Sequence, residues 1–200
     1  MPNSRSTARG SRTERERYSR LLYQSGGSER WVNGVFFSGG FSIHYSKEVL
    51  LRNSRISDNR ADDGINFKNV NHVLIENTLF QDNIADQIDL DSSNARIIDS
   101  QFFNKQMTSS NGDGLDVSGS DVLVSNSKFT GFKDKGISVG ERSNAIIHKS
   151  RFHNNNIGVA VKDLSHAFLF DIDFNNNSKD IATYRKKRHF GGGYVYTESL

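Results

Sequence analysis

Acidic residues recur at fixed offsets along this chain. Asp63, Asp86 and Asp113 form one series, which ends at Lys135. Asn66, Asp89 and Asp116 form a second, followed by Ser138, and Lys68, Asp91 and Ser118 form a third, followed by Gly140 and Lys162. Carboxylates stacked about 5 Å apart repel by about 1 kcal/mol in water, and by several times that where water is excluded. A bound cation, a lysine or a raised pKa must relieve them. Asp89, Asp91, Asp113 and Asp116 carry the oxygens a hard cation such as Ca²⁺ takes. With that cation, Lys135 or Lys162 as base would suit lyase or epimerase chemistry on a uronic acid, in which the C5 proton is removed. Asp89 and Asp116 on adjacent coils would instead suit a retaining glycoside hydrolase, whose two carboxyl groups stand about 5–5.5 Å apart. Asp91, Ser118, Ser138 and Tyr184 would then line the substrate. Two features speak for a non-catalytic role. The series contain no Arg, and outward aromatic platforms for sugars are few: Tyr45, Phe132 and Tyr184. A repeat scaffold or carbohydrate-binding module with a solvated acidic face needs nothing more than the sequence shows.

The offsets exist because the chain repeats. Phe41, Ile65, Ile88, Leu115, Ile137, Val159 and Ile181 form one apolar register. Val49, Val73, Ala95, Val122, Ala145 and Ala167 form a second; Leu51, Ile75, Ile97, Val124, Ile147 and Leu169 a third. Ile56, Phe80, Phe102, Phe129, Phe152 and Phe174 form a fourth. The steps agree across registers at 24, 22 or 23, 27, 22 or 23, and 22. Units this short cannot bury an apolar face alone, so they must stack as a solenoid. Within each unit apolar and polar residues alternate, as in Leu115-Asp116-Val117, which is strand periodicity. Three short strands per unit, parted by Asn, Ser, Asp and Gly, predict an all-β fold: a single right-handed parallel β-helix of about seven coils of 22–27 residues. The Phe register should stack its rings inside. Asn53, Asn77, Asp99 and Asn126 precede that register by three residues and suit a left-handed corner. One residue after each member of the first register, and again three after, side chains point outward. Asp89, Asp91, Asp116 and Ser118 should therefore form a two-by-two exterior patch. The insertion Lys105–Asn111 is expected to wall it.

Residues 1–30 stand outside the repeat with seven Arg against three Glu. A short helix is expected over 12–23, with Tyr18, Leu21 and Leu22 on one face and Thr13 and Glu16 at capping-box spacing. It would cap the solenoid. Residues 31–183 form the β-helix, and 184–200 a C-terminal cap or exit segment. Charge is uneven: 61–121 hold eleven acids and three bases, for −8. That middle would repel phosphates, which argues against nucleic acid as partner. A polysaccharide or cell-surface glycan fits better. No run of 18 apolar residues is present to span a membrane, and no apolar stretch near the start resembles a secretory signal. With no Cys, neither disulfides nor zinc–thiolate sites arise.

Four segments in order, DGLDVSGS (113–120), DKGISVGERS (134–143), IGVAVKDLS (157–165) and Y-x-KK-x-x-FGG (184–192), resemble the right-handed parallel β-helix domain of bacterial CotH-like and lamin-tail proteins. DDGINF (62–67) and ADQIDLDSS (85–93) are similar to its upstream coils. The resemblance spans about residues 31–195. It implies a pectin-lyase-like fold, an extracellular or cell-surface setting and no settled activity. The CotH-like kinase portion is not in this chain, so kinase activity does not carry over. The motif positions fall on Asp113, Asp116, Ser118, Asp134, Lys135, Ser138, Glu141, Lys162, Asp163, Lys186 and Lys187. Of these, Asp134, Glu141 and Asp163 sit at corners and are expected to pin turns.

Overall fold

The structure, a computed structural model, describes residues 15–18, 22–24, 30–32, 35–37, 40–60, 62–105 and 112–198. Three parallel sheets wrap a thin core. The site sheet runs Phe41–His44, Ile65–Lys68, Ile88–Asp91, Leu115–Ser118, Lys135–Gly140, Ile157–Lys162 and Lys179–Tyr184. The valine sheet runs Arg15–Tyr18, Glu48–Arg52, His72–Glu76, Ala95–Ile98, Asp121–Ser125, Asn144–His148, His166–Phe170 and Tyr194–Thr197. The phenylalanine sheet runs Leu22–Gln24, Arg55–Ser57, Leu79–Gln81, Gln101–Phe103, Lys128–Thr130, Arg151–His153 and Asp173–Asn175. Arg30–Val32 and Val35–Phe37 form a separate antiparallel pair.

The four apolar registers face inward, and most of their members are buried. Coil-to-coil pairing follows the sequence register: Ile88 aligns with Ile65 and Leu115, and Val122 with Ala95 and Ala145. The Phe rings stack in series. Phe80–Phe102, Phe102–Phe129 and Phe129–Phe152 lie 5.0, 4.4 and 5.1 Å apart with planes within 8° of parallel. The stack packs against a row of glycines. A Cβ at Gly114 would sit 2.7 Å from Phe129, and one at Gly136 2.8 Å from Phe152.

Corners are held by polar ladders. Asn53, Asn77, Asp99 and Asn126 adopt φ of 50, 46, 52 and 46°, the left-handed corner expected of them. Just inside that corner, the amides of Thr78, Ser100 and Ser127 each donate to the hydroxyl one coil on: Ser100, Ser127 and Ser150, all at 3.2 Å. A second serine ladder runs Ser93, Ser120, Ser143 and Ser165 at 2.8–3.1 Å. These side chains are buried and satisfy backbone groups that the turns would otherwise strand.

The N-terminal expectation needs correction. Within the span 12–23, Arg15–Tyr18 is a strand that pairs in parallel with Glu48–Arg52, and Leu22–Gln24 pairs with Arg55–Ser57. The rest of that span lies outside the described residues. An open sheet edge offers a full row of unpaired backbone groups, which a helix laid across the end would leave unmet. At the other terminus, Tyr194–Thr197 adds one more strand to the valine sheet. Among the described residues no helix is long and apolar enough to cross a membrane.

Candidate functional site

The outward rows of the site sheet assemble as their spacing requires. Asp89 aligns with Asn66 on one side and Asp116 on the other, and Asp116 aligns with Ser138. Asp91 aligns with Lys68 and Ser118. Although they point outward, these rows are sunk: Asn66 and Ser138 are buried, and Asp89 and Asp116 half-buried. Asn66 donates its amide to Asp89 Oδ2 at 2.6 Å.

The flanking acids are integrated into the backbone. Asp63 Oδ1 accepts the amide of Asp86 at 3.1 Å, Asp86 Oδ1 that of Asp113 at 2.6 Å, and Asp113 Oδ1 that of Lys135 at 3.0 Å. Burial and neighbouring carboxylates disfavour their ionisation. Burial, then Asp62, lifts Asp63 to about 7. Burial, then Asp113, lifts Asp86 well above the carboxylate range. Burial, then Asp91, Asp63 and Asp116, lifts Asp89 to about 8. Burial lifts Asp113 to about 7 even though Lys135 pulls it down.

Both lysines are committed to these acids. Lys135 Nζ lies 3.1 and 3.2 Å from the two oxygens of Asp113 and 2.5 Å from Asp134 Oδ2. Burial works against its charge, yet Asp113 and Asp134 hold the ammonium above the ordinary lysine range. Lys162, 3% exposed, donates to Ser138 Oγ at 2.7 Å and stands 3.6 Å from Asp116 Oδ1. That oxygen is buried and accepts no hydrogen bond. To reach it, Lys162 lies across the preceding coil at Gly140, where a Cβ would come within 2.6 Å of its Cε. Glycine there is what lets the lysine in.

The C-terminal segment fastens the corner beside Lys162. The amides of Lys186 and Lys187 donate to Asp163 Oδ1 at 2.8 and 2.9 Å, and Lys187 Nζ bonds Glu141. Glu141 and Asp163 have φ of 60 and 56°. They pin turns, as their corner positions imply. Arg142 lies 5.4 Å from the Phe190 ring centroid. Tyr184, in register with Lys162, is half-buried, and burial raises its phenol.

The expected site residues therefore divide. Asp89, Asp116, Ser138 and Lys162 converge, with Asp113 and Lys135 beside them. Asp91 turns towards Lys68 Nζ at 3.7 Å. Asp89, Asp91, Asp113 and Asp116 are the expected calcium ligands; among the described residues no group of three or more His, Cys, Asp or Glu side chains is placed as a metal-ligand cluster. The walling insertion falls largely outside the described residues. Two shallow grooves lie on the corner between the valine and phenylalanine sheets, lined by Asn53, Asn77, Asp99, Asn126 and Arg151 among others. They are troughs beside the structural Asn row, away from the acids.

A parallel β-solenoid that sinks one outward polar row is a repeat scaffold with a partly buried polar row along one face. Residues 32–109 and 102–190 match the family described as the right-handed β-helix region, and the chain belongs to that family. The match speaks to the β-helix, not to the narrower CotH-like or lamin-tail association. No curated protein matches the chain.

Proposed function

We propose that this β-helix is a non-catalytic scaffold that binds a neutral polysaccharide along the row Asn66–Asp89–Asp116, with Ser118 of the neighbouring row beside it. The observation that supports this reading is the charge state of the row. Asp89 keeps its proton to about 8 and both lysines are spent on Asp113, Asp134, Asp116 and Ser138. The row then offers amide, hydroxyl and carboxylic acid groups, which match sugar hydroxyls as donor and acceptor together. Glycan-array screening followed by calorimetric titration tests it. Retention of a neutral glycan, weakened about tenfold or more by Asp89→Ala, is the expected result. Absence of binding to any glycan at millimolar concentration refutes it.

One observation favours a second reading, glycoside hydrolysis. A carboxyl group that stays protonated near neutral pH, directly paired with a second carboxyl on the next coil, has the makings of a general acid beside a nucleophile. Release of reducing ends from a bound glycan, lost in Asp116→Asn, would establish it. Uronate lyase or epimerase chemistry is less favoured, because Asp113 and Asp134 keep Lys135 charged and unfit to act as base.

A further inference from the structure

The last coil ends unlike those before it. Phe152 and Val159 are 0% exposed. Their register partners one coil on, Phe174 and Ile181, are only partly buried, as are Ile172 and Val195 at the same level. Core positions therefore reach the surface here. Among the described residues nothing pairs with the outer edges of Asp173–Asn175, Lys179–Tyr184 and Tyr194–Thr197, each the last strand of its sheet. Tyr194 and Tyr196 stack on His166 and Phe168 at 5.0 and 4.7 Å, and among the described residues no further ring covers their other faces. An open apolar core and three free strand edges are features a solenoid ordinarily covers.

The rim carries charge of both signs, on opposite sides. Asp171 and Asp173 are exposed at the phenylalanine sheet. Arg185, Lys186 and Arg188 are exposed across the end, at the corner between the site sheet and the valine sheet.

We propose that this end is the interface of a homodimer, with a second copy of this chain as its occupant. A two-fold axis across the end, through the middle of the valine sheet, sets Val195 against its own counterpart and Phe174 against the partner's Ile181. It also sets the Asp171/Asp173 side of each copy against the Arg185/Arg188 corner of the other. Such an isologous contact closes on itself. Head-to-tail stacking fits less well. The N-terminal strand has Glu16 at the register position of Val49, so a continued stack would put a glutamate in line with Val195.

Sedimentation velocity from low to high micromolar concentration tests this. The expected species has twice the 22.5 kDa chain mass. Ile181→Asp should convert it to monomer. Because that change also touches the last coil, a surface charge swap provides the second arm. Asp171→Arg with Asp173→Arg should weaken association about tenfold or more, and adding Arg185→Asp with Arg188→Asp should restore it, with circular dichroism unchanged throughout. A monomer at every concentration, a dimer indifferent to the swap, or growth past the dimer each overturns the proposal.

Discussion

Replacing Phe129 by Ala tests the packing that holds the coils together. Phe129 is 0% exposed and lies between Phe102 at 4.4 Å and Phe152 at 5.1 Å, with planes 6 and 8° from parallel. Truncating a buried Phe costs about 3–5 kcal/mol, more where the surroundings cannot close in. Here they cannot. The rings on either side belong to strands fixed by parallel ladders, and the edge of Phe129 rests on Gly114. Each ring contact is worth about 0.5–1.5 kcal/mol beyond its area, so the loss should fall near 4–5 kcal/mol. Phe174 is the built-in control. It is partly buried and stacks on one side only, at 5.4 Å and 28°. Measured at concentrations where the chain is monomeric, Phe174→Ala should cost about 1–2 kcal/mol, in proportion to the smaller area it covers. Equilibrium urea unfolding, monitored by far-ultraviolet circular dichroism, reads both. A Phe129→Ala loss below about 1.5 kcal/mol, or one no larger than that of Phe174→Ala, would falsify the stacked-ring account.

Two further outcomes follow from the buried acids. In the unfolded chain Asp63, Asp86, Asp89 and Asp113 lose their protons near pH 4; in the folded chain Asp63 and Asp113 hold theirs to about 7 and Asp89 to about 8. Between those limits the native state binds more protons, so this contribution is full below pH 4 and lost as pH rises through 7 to 8. The melting temperature should fall from pH 5 to pH 8, less steeply in Asp89→Asn; a flat or rising profile contradicts the assignment. Lys135→Met strands Asp113 and Asp134 and should cost about 3–5 kcal/mol at pH 8. The cost should shrink at pH 5, where Asp113 is neutral, and Lys135→Met with Asp113→Leu should recover most of it in thermal melts.

The strands were legible because their periodicity is local and their registers repeat with equal steps. Phe80, Phe102, Phe129 and Phe152 could be placed in one stack from those steps alone, and Asn53, Asn77, Asp99 and Asn126 at one corner. The serine ladders escaped notice although they carry the same signal: Ser54, Thr78, Ser100, Ser127 and Ser150 also step by 24, 22, 27 and 23. A serine beside a turn reads as solvated, and its burial emerges only once the next coil supplies an amide. The helix expected over 12–23 failed for a related reason. Thr13, Glu16 and Tyr18 make a plausible helical window in isolation, but the edges of Glu48–Arg52 and Arg55–Ser57 offer backbone pairing that no local window records.

The acids at the site show one repulsion relieved in three ways, and only the first two leave a mark in sequence. Asp63, Asp86 and Asp113 accept the amides of the coil that follows. Asp113 and Asp116 gain ammonium groups from Lys135 and Lys162. Asp89 has no such lysine; it accepts the side-chain amide of Asn66 and is relieved by keeping its proton. The spacing of Asp116, Ser138, Gly140 and Lys162 already contained the lysine's route, since one coil after Asp116 comes Ser138, and one coil after Gly140 comes Lys162. What the spacing could not convey is that these lysines are buried and paired with Asp113 and Asp116. On the proposed function, the recognising group in this row is the acid left without a cation. Changes at Asp89 should therefore alter ligand binding, whereas changes at Lys135 should first be felt in stability.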